Sequence, residues 1–74
     1  MKTSATIQRT GVNFVKAHYG KKCFEFYLLD EIPECDIRMI RNTVNDAEGN
    51  FEDIKFAMDL VGMNVTQAVS NPPH

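Results

Sequence analysis

Residues 12–29 read VNFVKAHYGKKCFEFYLL, and they decide the fold. Two runs rich in aromatic and β-branched residues, Val12 to Tyr19 and Lys22 to Leu29, flank Gly20-Lys21. Such residues suit a pleated, half-buried surface. Glycine at the first central position of a two-residue connection suits a type II′ turn, whose twist matches that of paired strands. The two runs are therefore predicted to form a β-hairpin, and the turn sets its register. Tyr19 faces Lys22, His18 faces Cys23, Ala17 faces Phe24, Lys16 faces Glu25, Val15 faces Phe26 and Asn13 faces Leu28. Side chains alternate across a strand, so one face collects Val15, Ala17, Phe24, Phe26 and Leu28. The other collects Phe14, Lys16, His18, Cys23, Glu25 and Tyr27. The first is the expected core. The second is mixed: Phe14 opposite Tyr27 is its apolar part, and Lys16 opposite Glu25 is a charge pair worth about 0.2–1 kcal/mol.

Upstream of the hairpin, Thr3 to Arg9 alternates, with Ala5, Ile7 and Arg9 on one side, and Gly11 breaks the pattern. This is a first strand, which makes residues 3–29 an antiparallel three-stranded β-meander. Downstream the period changes. Pro33 suits a first helical turn, where its missing N–H is no loss. Glu34 and Asp36 put negative charge at the positive end of the helix dipole. Ile37, Ile40 and Val44 recur at i, i+3 and i+7, with Arg38 and Arg41 facing out. These signals predict a helix over 33–45. The β-branched Ile37, Ile40, Thr43 and Val44 leave a strand as the rival, but adjacent Met39 and Ile40 spoil strict alternation.

Residues 45–49 form a loop by composition. Asn50 caps a second helix, with Asp53 reaching back as in a capping box. Ile54, Ala57, Met58 and Val61 form the best helical stripe in the chain, and Gly62 stops it. The helical part spans 33–61. Met63, Val65, Gln67 and Val69 alternate weakly, as a short edge strand or an ordered tail, and residues 70–74, with Pro72-Pro73, read as a frayed tail. Strands first and helices after is the α+β pattern: a meander followed by two helices packed on one face, in a single domain of residues 1–74.

Composition bounds the function. The chain has 74 residues, 43% of them hydrophobic and 24% charged, which argues against disorder. A core this small supplies only about 3–5 kcal/mol. No apolar run approaches a membrane span and no signal peptide is read, so the expected location is the cytoplasm. Cys23 and Cys35 are expected as reduced, partly buried thiols. The sequon Asn64-Val65-Thr66 carries no weight without secretion.

No catalytic, cofactor-binding or metal-ligating set is evident. His18 and Cys23 share a hairpin face, but a structural zinc needs four ligands. Adding Glu25 makes a Cys-His-Glu cluster without an oxyanion hole. The paired acids at 30–31, 34 with 36, and 52–53 fall at helix starts, where the dipole explains them. No cofactor is expected. Charge is the feature above background. Residues 1–22 carry Lys2, Arg9, Lys16, Lys21 and Lys22 with no acid, a net +5, whereas residues 23–74 carry a net −7. Such a split suggests an interaction surface. Met1, Met39, Met58 and Met63 are adaptable in irregular contacts, or fill a core.

The expectation is therefore a small non-enzymatic interaction or regulatory module that binds another protein. Its interface is expected at Phe14, Tyr27 and Lys16, and it is expected to act as a homodimer that buries Phe14 and Tyr27. The alternative is a nucleic-acid-binding module using Lys16, Tyr19, Lys21 and Lys22 on the basic hairpin.

Overall fold

The structure, a computed structural model, describes residues 3–68. Its elements are β1 (Thr6–Gly11), β2 (Phe14–Tyr19), β3 (Lys22–Tyr27), α1 (Glu34–Asp46), α2 (Phe51–Leu60) and β4 (Asn64–Ala68). The α+β meander read from the sequence is present, with β4 completing a four-stranded antiparallel sheet of order β1-β2-β3-β4. The weakly alternating stretch after Gly62 is thus an edge strand, paired through Phe26–Val65 and Tyr27–Asn64. The expected tail at 70–74 lies outside the described residues.

The hairpin register is the one the turn dictates, from Tyr19–Lys22 through Lys16–Glu25 to Phe14–Tyr27. Gly20 has φ +60°, the left-handed region where glycine has no Cβ penalty. The Leu28 amide donates to the Asn13 carbonyl at 3.1 Å, extending the pairing beyond β3. β1 runs to Gly11 rather than ending at Arg9, and the register shifts between Arg9 and Gly11, so Thr10 is the extra residue of a bulge. The expected strand start at Val12 is instead the turn between β1 and β2.

Both helices lie on one face. α1 packs on β1 and β2, and α2 on β4. Val15, Ala17, Phe24 and Phe26 from the sheet meet Ile37, Ile40, Val44, Ile54 and Met58 from the helices, with Ile32 from the β3–α1 connection. Ile32 is wholly buried, and its amide donates to the Val12 carbonyl at 2.8 Å. Arg9 strengthens this junction. Its guanidinium donates to the carbonyls of Ile32 (2.6 Å), Val12 (3.0 Å) and Gly11 (3.2 Å). Phe51 stacks on Phe24 with ring centroids 6.3 Å apart, which ties the start of α2 to β3. Met58 and Met63 are buried and Met39 half-buried, so these three methionines fill the core.

Both helices end in the same way. At α2, the Met63 amide donates to Met58 O and the Gly62 amide to Asp59 O, with Gly62 at φ +76°. At α1, the Gly49 amide donates to Val44 O and the Glu48 amide to Asn45 O, with Glu48 at φ +52°. Each is a Schellman motif, which satisfies the last helical carbonyls.

Four local expectations are corrected. Pro33 is the residue before the first helical turn, extended at φ −74° and ψ 165°; its carbonyl accepts from Asp36 and Ile37. The Asn50 side chain accepts from the Asp53 amide at 3.1 Å, but the Asn50 amide donates to Ala47 O, so only half of a capping box forms. Val61 is not buried; it is 53% exposed. The helix stops at Leu60 and the left-handed Gly62 swings the chain, so Met63 fills the place that continued helical periodicity would give Val61. Asp46, expected in the loop, belongs to α1, one residue past the helix end read at 45.

Candidate functional site

Because the helices take one face of the sheet, the other is bare among the described residues. Its side chains form a grid fixed by the register. One row runs Thr6, His18, Cys23, Ala68. The next runs Gln8, Lys16, Glu25, Thr66. The third holds Phe14, Tyr27 and Asn64. Cys23 is buried among its neighbours, Phe14, Lys16 and Glu25 are half-buried, and His18, Gln8 and Thr66 are exposed. Tyr27 is 38% exposed with no element above it. The three residues expected at a protein interface, Phe14, Tyr27 and Lys16, therefore share one open surface. Lys16 and Glu25 face each other in register, but their charged ends do not approach within ion-pair distance; Lys55–Asp59 at 3.6 Å is the one such pair among the described residues.

The aromatic row continues off the sheet. Asn64 donates through Nδ2 to the Tyr27 carbonyl at 3.4 Å, and it lines a shallow groove of about 250 Å³ with Leu28, Leu29, Asp30 and Gly62. Leu29 is 85% exposed. It was not assigned to any surface from sequence, although paired leucines leaving a strand, one turned in and one turned out, carry that signal.

The residues of the basic hairpin do not converge. Lys16 points to the open face, whereas Tyr19 and Lys22 lie on the helix side of the same strands. The Lys22 ammonium donates to the Gly49 carbonyl at 3.0 Å. Gly49 is buried, and a Cβ on it would sit 2.7 Å from Cδ1 of the Tyr19 ring. Tyr19 and Lys22 thus hold the end of α1 against the hairpin, beside Glu48. Lys21 remains exposed in the turn. The four residues offer no continuous cationic strip of the sort that tracks a phosphate backbone.

His18 and Cys23 are cross-strand partners and Glu25 follows on the same face, yet no hydrogen bond joins the three. Among the described residues no group of three His, Cys, Asp or Glu side chains is placed to hold a metal ion. Another groove, about 280 Å³ between the helices, is lined by Thr43, Asp46, Ala47, Asp53 and Ala57. Cys35 is exposed at the start of α1, not partly buried as expected, and both thiols are free. No described helix is long and apolar enough to cross a membrane.

A second surface escaped the sequence reading. Phe56 is 69% and Leu60 73% exposed, one turn apart on the side of α2 opposite Ile54 and Met58. The sequence reading assigns only the inner stripe of α2 and leaves its outer face without a role. No protein family, curated protein or solved structure is detectably similar to this chain.

Proposed function

We propose that the chain is a small non-enzymatic interaction module whose open sheet face docks on another protein, with Phe14, Tyr27 and Lys16 as its centre. One observation carries this reading: the four-stranded sheet has one face covered by helices and the other bare among the described residues, with the aromatic pair Phe14–Tyr27 on its two inner strands. Aromatic side chains beside polar ones are the usual make-up of protein-binding surfaces. The polar remainder, Gln8, Glu25, Thr66 and Asn64, keeps the unbound face soluble and supplies the rim. The free thiols Cys23 and Cys35 suit a reducing compartment, and we place the module in the cytoplasm.

The test is capture from a lysate of the source cells with wild type, Tyr27→Lys and Lys21→Glu as parallel baits, each with and without nuclease. The docking reading expects a protein retained by wild type and Lys21→Glu, lost with Tyr27→Lys and indifferent to nuclease. Retention that Lys21→Glu abolishes, or that nuclease removes, would instead favour nucleic-acid binding by the hairpin. Retention indifferent to Tyr27→Lys would end the reading.

A further inference from the structure

The outer face of α2 joins an apolar pair to an excess of acid. Helical residues turn by about 100° each, so with Ile54 and Met58 buried, the opposite side carries Phe56 and Leu60, both more than two-thirds exposed. Glu52 and Asp59 flank this pair on one side and Asp53 on the other, all three exposed. Lys55 is the one base on the helix, and it already pairs with Asp59 at 3.6 Å. Beyond Asp53 the surface drops into the groove between the helices, where Asp46 and Asp53 share the lining with Ala47 and Ala57. α1 brings no base to that groove, because Arg38 and Arg41 fall on the opposite flank of the helix from Thr43 and Ala47. Lys22 of β3 is held at the Gly49 carbonyl.

The helix ends sharpen this imbalance. The C-terminal end of a helix carries partial negative charge and favours cations. α1 ends on Asp46 and α2 has Asp59 in its last turn, and neither last turn holds a base.

We propose that this surface docks a basic amphipathic helix of another protein, which seats apolar side chains on Phe56 and Leu60 and sets lysines or arginines along the carboxylates. Charge selects this occupant. A second copy of the chain would bring Glu52, Asp53 and Asp59 against acids of its own kind. A nucleic-acid backbone or an anionic membrane would meet the same repulsion. An uncharged apolar segment would strip water from the acids and give them no partner. A lysine or arginine suits the groove in both its parts: the stem packs on Ala47 and Ala57, and the charged head reaches Asp46 and Asp53. Apolar anchors one turn apart, with charge on the flanks, are the means by which amphipathic helices are recognised. The surface is separate from the open sheet face, and the inference stands whether or not that face docks a protein.

The test uses a fluorescein-labelled peptide of leucine and lysine, with leucines at i, i+3, i+4 and i+7 so that it forms a basic amphipathic helix. It is titrated with the full chain and followed by fluorescence anisotropy. Binding is expected, and it should weaken as salt rises. Phe56→Asp and Leu60→Asp should each weaken it by about thirtyfold or more, as removal of a central anchor does. Their circular dichroism and urea midpoints should stay close to wild type, because neither side chain is in the core. Asp46→Asn with Asp53→Asn should weaken binding by about tenfold and flatten its salt dependence. Asp30→Asn with Glu31→Gln removes the same charge elsewhere and should change binding far less. A peptide with glutamate in place of lysine should not bind, nor should one of the same composition with its leucines scattered. Tyr27→Lys should bind as wild type does, so this surface and the sheet face are read from different variants. A basic peptide that fails to bind overturns the proposal. So does equal binding of the glutamate peptide, binding that survives Phe56→Asp, or a loss at Asp30 and Glu31 that matches the loss at Asp46 and Asp53. Sedimentation equilibrium that shows the chain dimerising through Phe56 also overturns it, in favour of a second copy.

Discussion

Gly49→Ala is the sharpest test of how the helical half is fastened to the hairpin. Two separable effects act at Gly49. Its φ of +75° is one that alanine adopts at a cost of about 1–2 kcal/mol. Its added Cβ would lie 2.7 Å from the Tyr19 ring and 3.4 Å from the Lys22 side chain, and overpacking of that kind costs about 1–3 kcal/mol. The sum is about 2–5 kcal/mol, comparable with the whole of the roughly 3–5 kcal/mol that a core of this size supplies. Gly62 supplies the control. Its φ is +76° with nothing within 4 Å of a new Cβ, so Gly62→Ala should show the backbone effect alone. Urea unfolding followed by far-ultraviolet circular dichroism measures both. The difference between the two variants is the contact with Tyr19, and Tyr19→Ala in the Gly49→Ala background should recover much of it. Equal losses for Gly49→Ala and Gly62→Ala would refute the claim that Tyr19 closes on the end of α1.

Two further outcomes follow from burial and backbone. Ile54→Ala should lose about 2–5 kcal/mol, since Ile54 is wholly buried, while Val61→Ser should stay within about 0.5 kcal/mol; comparable losses at both sites would mean that the buried side of α2 is misassigned. Glu48→Gly should stabilise the fold by up to about 1 kcal/mol, read as a higher urea midpoint with an unchanged slope, because it relieves a left-handed non-glycine residue at the end of α1; a lowered midpoint would show that the Glu48 side chain contributes more than its backbone costs.

The hairpin was legible because its signal is local. A two-residue turn with glycine in a known place leaves one register, and every cross-strand pair from Tyr19–Lys22 to Phe14–Tyr27 follows. Helix positions were legible from their inner stripes, since Ile37, Ile40, Val44, Ile54 and Met58 repeat at helical spacing. What periodicity could not show is where it stops. Val61 continues the pattern of α2 on paper, but the left-handed Gly62 turns the chain and gives its place to Met63. β4 was ambiguous because only Met63 and Val65 carry its inward face, while Gln67 breaks the alternation. Of the site, Phe14, Lys16 and Tyr27 were placed on a common face by register alone. The division of the basic hairpin residues between two faces was implicit in the same register. What it could not show is that Lys22 reaches the Gly49 carbonyl, a contact across 27 residues. Phe56 and Leu60 were visible as letters, and their exposure depends on which side of α2 the sheet occupies.

The pairing of β4 with β3 has a consequence for the order in which the molecule assembles. β1, β2 and β3 meet through tight turns, and such short loops close early and fast. β4 meets β3 only after the chain has travelled through both helices; Tyr27 and Asn64 are 37 residues apart. The meander is therefore the natural nucleus, and β4 the last strand to lock and the first to leave. Amide hydrogens of β2, bonded on both sides by neighbours that form early, should exchange slowest, and those along the β3–β4 seam should exchange through partial opening. Release of β4 would uncover the core beneath α2 while the hairpin that carries Phe14 and Tyr27 stayed paired.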